Sequence, residues 1–458
     1  MGGRWERSQI IQVFPGVQAL HLLGLNSPRL GALPIVTEGK KMRRERASRL
    51  IALALTLSVS LLTAAPATAA HQDSDYLYTP PPSPGSLDQI NELRRGGQRL
   101  EAQLISRMVR TPSAVWFNGG SSGEVRRDVS AVVGDAHRNR SVPVLVAYNL
   151  PFRDCSQFSA GGALDLASYK AWVDGFAKGI DKSEAIVILE PDGLGIIPFN
   201  IDINGNAEWC QPRDAAGNPQ PGATPEDRYA ALNYAVDVLS SSANVSVYLD
   251  GTHSAWLGVG DIADRLVKAG VQRADGFYVN ASNYQLTERL VKYGSWISGC
   301  IAFANNPEEG GWRLGNYAWC ASQYFPANPN DFSTWGLTDQ WYVDNLGTAV
   351  ATTHFVIDTS RNGQGPWSPP PDHPAGDPQD WCNPPDRGVG LRPSLNTGNV
   401  LIDAYLWIKI PGESDGQCNR WGPGPEDPVR GMVDPAAGVW FPEMALELVG
   451  NANPPLVP

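Results

Sequence analysis

The sequence predicts an α/β fold: a TIM-barrel variant of seven parallel strands with long loops on its active-site side. Three observations carry this. Seven short apolar runs rich in β-branched and aromatic residues recur along the chain. Helical patterns lie between several of them. The 47 glycines, 38 prolines and only 18% charged residues describe a chain rich in ordered, non-helical connections. Strands alternating with helices make a parallel sheet, and nearly continuous apolar strands make one covered on both faces.

In chain order the strand candidates are Ala114 to Phe117, Val142 to Tyr148, Ala185 to Leu189, Val245 to Leu249, Gly276 to Val279, His354 to Ile357 and Ala404 to Ile410. The helical patterns are Leu164 to Lys178, Pro225 to Leu239 opened by Thr224, and Asp261 to Ala269. No internal repeat or Ser/Thr/Pro-rich linker divides them. One domain is expected from about residue 76, with 85–458 as its body and 71–84 as a short Pro-rich lead, Tyr78-Thr79-Pro80-Pro81-Pro82, lying extended beside it.

Residues 42–70 read as a secretory signal. Met42 and the arginines at 43, 44, 46 and 49 precede an apolar run from Leu50 to Leu62, and small residues follow through Ala67-Thr68-Ala69. Cleavage falls near Ala69 or Ala70, and residues 1–41 are then an over-long start, with Met42 as the initiator. The apolar run is short for a membrane span. The mature chain is expected to be secreted, extracellular, free of the membrane and monomeric. All six cysteines (155, 210, 300, 320, 382 and 418) lie in the exported part. An even number in an oxidising compartment suggests three disulfides among 15 possible pairings, and the irregular spacing lacks a CxxC zinc pattern.

A formal charge of -11 argues against nucleic acid as partner, because phosphate binding relies on clustered Lys and Arg. A neutral polymer fits better. Fifteen tryptophans and fourteen tyrosines offer flat faces that suit sugar rings, although most such side chains serve a core.

Polar residues close almost every apolar run. Tyr148 leads into Arg153 and Asp154, Leu189 into Glu190 and Asp192, Leu249 into Asp250, Val279 into Asn280 and Asn283, Ile357 into Asp358, and Lys409 into Glu413 and Asp415. Active sites of parallel α/β folds lie at the carboxyl ends of the strands. A lone Asp after a strand often only makes an Asx-turn or caps a helix, but six strand ends together point to a site.

Two carboxyl groups can divide acid and base work when their surroundings push their pKa values apart. Asp154 follows Arg153 and could be held ionised. Asp192 sits among apolar residues in Leu189-Glu190-Pro191-Asp192-Gly193, where desolvation and a neighbouring negative charge would keep its proton for a leaving oxygen. Glycoside hydrolysis needs that combination. No GxSxG, HExxH or P-loop pattern competes, and six histidines make a histidine-rich metal centre a poor reading. Neither metal nor cofactor is expected.

At these same strand ends the chain resembles glycoside hydrolase family 6 over nearly its whole mature length. The matching blocks are Val146-Ala-Tyr148-Asn-Leu-Pro151-Phe-Arg153-Asp154-Cys155, Val187-Ile-Leu-Glu190-Pro191-Asp192-Gly-Leu, Tyr248-Leu-Asp250-Gly-Thr-His253-Ser-Ala-Trp256-Leu-Gly and Trp407-Ile-Lys409-Ile-Pro-Gly412-Glu413-Ser-Asp415-Gly. The resemblance implies a distorted seven-stranded barrel that hydrolyses β-1,4-glucan, cellulose and cello-oligosaccharides, with inversion. Asp192 would be the general acid, and Asp154 would raise its pKa and orient water. Tyr148 would lie under the distorted sugar, Arg153 would fix Asp154, and Asp415 would stand across the anomeric carbon. Asp250 would support the site and bind sugar, Lys409 and Glu413 would bond glucosyl hydroxyls, and Trp116, His253, Trp256, Asn283 and Trp381 would line subsites. Inversion leaves room for a water, with carboxyls roughly 6.5–9.5 Å apart.

The resemblance also implies the disulfides Cys155–Cys210 and Cys382–Cys418, each clamping a loop beside the cleft, and with them Cys300–Cys320. The segment Ser295 to Gly347 resembles a feature of bacterial cellobiohydrolases, as does Gly422 to Gly431, and a long disulfide-pinned loop there would roof the cleft into a tunnel. An open-cleft endoglucanase is the alternative, and a non-catalytic glucan-binding protein a remote one. Two positions depart from the family: Val259 stands where fungal members carry a further Trp, and the water-holding serine falls at Ser159 or Ala160.

Overall fold

The computed structural model describes residues 76–457 apart from 310, 372, 374, 375 and 421. The secretory signal expected at 42–70 and the extension before it lie outside the described residues. No helix among the described residues is long and apolar enough to cross a membrane.

The lead runs extended beside the sheet. Leu77 pairs in parallel with Val142, the Tyr78 amide donates to the Val142 carbonyl at 2.9 Å, and the Tyr78 hydroxyl donates to Asp135 at 2.6 Å. Helices α1 (Pro84–Arg95) and α2 (Arg99–Met108) follow. The barrel then alternates β1 (Val115–Phe117), α3 (Ser122–Arg138), β2 (Val144–Ala147), α4 (Leu166–Ile180), β3 (Ala185–Leu189), α5 (Pro225–Leu239), β4 (Val245–Asp250), α6 (Val259–Lys268) and β5 (Gly276–Val279). Two helices, α7 (Thr287–Asn305) and α8 (Gly336–Asn345), precede β6 (His354–Asp358), β7 (Ile402–Leu406) and α9 (Pro442–Gly450).

Local chemistry sets several of these boundaries. Ser121 and Glu124 form a reciprocal capping box at α3, Asp165 and Thr224 cap α4 and α5, and Pro225 opens α5 where its missing N–H costs nothing.

All seven strands pair in parallel, in chain order. Alternation along each strand separates two cores. Val144, Val146, Ile188, Tyr248, Tyr278, Val356 and Leu406 point one way and pack together inside the curled sheet. Leu145, Val187, Leu189, Val247, Leu249, Phe277 and Ile357 point the other way, against α3 to α8. A third cluster gathers α1, α2 and α9 around Trp407 and Phe441. Between β1 and β7 the Ala114 amide donates to the Trp407 carbonyl at 2.9 Å and the Trp116 indole to the Ile408 carbonyl at 2.8 Å.

Two expectations need correction. The last apolar run starts and stops earlier than predicted: β7 covers Ile402–Leu406, because the Ile408 and Lys409 amides turn aside to the Asp358 carboxylate. The segment 295–347 is loop chiefly over 306–335, where only short 3-10 turns stand among the described residues. Residues 295–305 complete α7, whose Trp296, Ile297, Cys300 and Phe303 are buried in the main core, and α8 occupies 336–345. The three disulfides Cys155–Cys210, Cys300–Cys320 and Cys382–Cys418 form as the resemblance implies.

Candidate active site

The strand-end carboxylates divide into two groups. Glu190, Asp250 and Asp358 are buried and spend their oxygens on backbone amides. Glu190 takes Asn149 N at 2.8 Å and Leu150 N at 3.0 Å on Oε2, with Asn149 N also 3.1 Å from Oε1. Asp250 takes Leu194 N (3.2 Å) and Gly195 N (3.1 Å) on Oδ2 and Thr252 N (2.8 Å) on Oδ1. Asp358 takes Ser282 N (3.1 Å) and Lys409 N (3.0 Å) on Oδ2, and Ser360 N (2.9 Å) and Ile408 N (3.2 Å) on Oδ1. Each staples its own strand end to a neighbour's loop, and the Thr252 and Ser360 bonds are Asx-turns. The bland role of a post-strand acid therefore accounts for half of the six ends, and Asp250 acts here as a support.

The loops so held are strained. Asp154, Glu190, Asp192, Thr252, Asn280 and Ser282 have φ of +56°, +53°, +62°, +56°, +73° and +58°. Such left-handed non-glycine residues cost of order 1–3 kcal/mol each and cluster where a surrounding network imposes them.

Asp192 belongs to the second group. It lies deep at the mouth of the barrel with part of its surface open, and no described donor reaches its carboxyl. Burial, and then the negative charges of Asp250, Asp154 and Asp415, push its pKa well above the carboxylate range. It holds its proton where water would remove it.

Asp154 is raised to about 6 by burial, against the opposing pull of the Ser159 amide, which donates to Oδ2 at 2.6 Å, and of the Arg153 charge. Arg153 thus fails to hold Asp154 low. Its donors go to the carbonyls of Ser159 (2.8 Å), Asn118 (2.6 Å), Tyr148 (2.7 Å) and Ala160 (3.2 Å), and its guanidinium lies 4.7 Å from the Tyr148 ring centroid. Arg153 shapes the loop that presents Asp154. Ser159 is half-buried against that carboxylate, while Ala160 is exposed.

Asp415 is tied chiefly to Arg361, neither to Arg153 nor mainly to Lys409. Arg361 is fully buried, and its Nη1 donates to Oδ2 at 3.0 Å and lies 2.9 Å from Oδ1 as an ion pair; Tyr284 OH (3.2 Å) and Asn383 N (3.1 Å) add to Oδ2, with Lys409 Nζ 3.8 Å from Oδ1. Lys409 donates to the Ser414 carbonyl at 3.1 Å, burial lowers its pKa, and burial raises that of nearby Glu413.

Aromatic rings line the same face. Trp116 meets Tyr148 edge-on, with centroids 5.3 Å apart. Trp256 is half-exposed beside His253, which burial lowers to about 4 and so keeps neutral. Asn283 turns its Oδ1 to the Tyr284 amide at 2.9 Å. Val259 is buried at the start of α6 and offers no ring. Trp381 lies 6.3 Å from Phe158, whose side chain would stand 2.5 Å from a Cβ on Gly416. Phe158 therefore carries the loop after β2 onto the loops after β6 and β7. The segment 306–335 instead hydrogen-bonds along α7, α8 and the loop between β4 and α6.

Arg361, Tyr284, Asn383 and Phe158 escaped the sequence reading. Arg361 could have been found, since it follows the strand-end Asp358 by three residues. The others depend on contacts across more than 30 residues.

The sequence pattern described as "Glycosyl hydrolases family 6" matches residues 72–452. Endoglucanase A of Cellulomonas fimi is 33% identical over 352 residues, covering 76% of this chain. This chain spans only 56% of that protein's length. A probable 1,4-β-D-glucan cellobiohydrolase C of Aspergillus fumigatus is 28% identical over 380 residues, covering 76% of this chain and 71% of that one. Among solved structures, the endoglucanase Cel6 of Mycobacterium tuberculosis, in complex with methyl-cellobiosyl-4-deoxy-4-thio-β-D-cellobioside, superposes with a TM-score of 0.57 at 29% identity, covering 84% of this chain and 98% of that one.

Proposed function

Since the chain belongs to glycosyl hydrolase family 6, we propose that it is a secreted, inverting cellulase that cleaves β-1,4-glucosidic bonds and releases cellobiose from a chain end. The observation that carries the chemistry is the Asp192 carboxyl, deep but partly open, reached by no described donor and near the negative charges of Asp250, Asp154 and Asp415. In this reading Asp192 passes its proton to the glycosidic oxygen as the C1–O bond breaks, and water attacks the opposite face of the sugar. Asp415, its oxygens engaged by Arg361, Tyr284 and Asn383, stabilises the developing positive charge. Asp154, adjusted to about 6, receives the water's proton through intervening solvent. Lys409, Glu413, Asn283 and the rings of Trp116, Trp256 and Trp381 hold the glucosyl units. Secretion is supported by three disulfides that use all six cysteines.

Exo action is supported by the bridge from Phe158 to Trp381 and Gly416, which would cover the cleft. An endo-acting enzyme is the second reading, favoured by the position of segment 306–335 on the flank and by relatives that carry the name endoglucanase. Swollen cellulose and carboxymethylcellulose separate the two: products dominated by cellobiose with little loss of viscosity support the first, and a rapid viscosity fall the second. Asp192→Ala should lower turnover about 10²–10⁴-fold. An unchanged rate on a natural glucan would refute the assignment of the acid.

A further inference from the structure

Beyond Trp256 the aromatic face continues onto a side chain that no strand end supplies. The Trp256 ring lies on Gly195, three residues past Asp192, where an added Cβ would stand 2.3 Å from the ring. Tyr324 adjoins the same turn. Its hydroxyl donates to the Trp256 carbonyl at 2.8 Å, and its Cδ2 is 3.8 Å from where a Cβ on Gly258 would be. Yet Tyr324 remains 45% exposed and its neighbour Phe325 77%. Core packing explains neither open ring.

The backbone carrying them is fixed from three sides. Cys320 is bonded to Cys300 within α7. From α8, Thr338 Oγ1 donates to the Ser322 carbonyl at 2.8 Å and Tyr342 OH to the Ala321 carbonyl at 2.9 Å. Gln323 Nε2 donates to the Leu257 carbonyl at 2.9 Å, next to Trp256. An aromatic face held in place and open to water can receive the C–H face of a sugar ring with little ordering cost.

We propose that Tyr324, with Phe325 beside it, forms an additional glucosyl platform that extends the cleft past Trp256 and is reached only by longer glucan chains. The proposal rests on the cellulase reading above and adds a length preference to it. The chemistry at Asp192 would proceed without the platform, so its effect appears in KM for long substrates.

Steady-state hydrolysis of cellotetraose and cellohexaose by the wild-type chain, Tyr324→Ala and Tyr324→Phe tests this, with thermal melts confirming that each variant folds. Tyr324→Ala should raise KM for cellohexaose about five- to tenfold while leaving cellotetraose within about twofold. Tyr324→Phe loses the tether to Trp256 but keeps the ring, and should stay near wild type on both. Equal loss on both substrates, equal damage from Phe and Ala, or no change in either variant would overturn the platform while leaving the cellulase reading intact. Failure of the wild-type chain to cleave either oligosaccharide would instead remove the reading on which the platform rests.

Discussion

Replacing each buried strand-end carboxylate by its amide should give graded losses of stability that follow how amide donors divide between its two oxygens. In Asp358→Asn one oxygen becomes an NH2 group facing two N–H donors, whichever way the amide turns, because two donors sit on each oxygen. Two bonds to a charged acceptor are lost, at about 1.5–3 kcal/mol each, giving about 3–6 kcal/mol. Asp250→Asn can keep its carbonyl toward Leu194 and Gly195 and lose only Thr252, for about half that cost. Glu190→Gln can keep both donors on one oxygen, and burial already pushes Glu190 up to about 7, so the amide replaces a group close to neutral. Its cost should stay below about 1 kcal/mol. An unfolding entropy of about 2.1 cal/mol/K per residue over roughly 380 residues makes each kcal/mol worth about 1.3 °C. Circular-dichroism melts at pH 7 should therefore show losses of about 4–8 °C, 2–4 °C and 1 °C in that order. Equal losses, or Glu190→Gln as the worst of the three, would refute the division of donors as the cause.

Two further outcomes follow from the cleft. Asp154 ionises as pH climbs through about 6 while Asp192 keeps its proton to higher pH, so kcat/KM should rise through about pH 6 and fall on the alkaline side. Asp154→Asn should abolish the acid limb and, by deleting a negative charge beside Asp192, move the alkaline limb to lower pH; an unshifted alkaline limb would exclude that coupling. Phe158→Ala should uncover the cleft and raise the loss of carboxymethylcellulose viscosity per cellobiose released several-fold. An unchanged ratio would mean that Phe158 does not close the cleft.

The barrel was legible because its information is local. Each strand is a short apolar run, each run ends in polar residues, and parallel topology then forces those ends together. Asp192 was singled out by its apolar setting and by the family block around it, but the stapling role of Asp358 was not legible, because an Asp after a strand looks the same in sequence whether or not it accepts from a neighbour's loop. Arg153 misled for a related reason: adjacency in sequence suggested a pair with Asp154, but its guanidinium folds back onto carbonyls. The partner of Asp415 lies 54 residues upstream, beyond any local pattern. Segment 295–347 was read as a loop because Gly294, Gly299 and scattered polar residues mask the helical run of α7, which declares itself only against the Phe355 ring. The capping box Ser121/Glu124 marked α3 in plain sequence and passed unused.

In the cellulase reading proposed above, the line between β1 and β7 bears on how a polymer far longer than the protein is accommodated. Neighbouring strands elsewhere resist parting through ladders of three to five paired residues each, whereas among the described residues this line hangs on two hydrogen bonds and the cluster around Trp407. It is the least reinforced direction in the wall, and Trp116 and Lys409 stand on either side of it. Small movements there would change the gap between the first and last strands without disturbing the stapled ends of β3, β4 and β6. In that reading Asp192 would keep its geometry while the far wall yields to a passing chain.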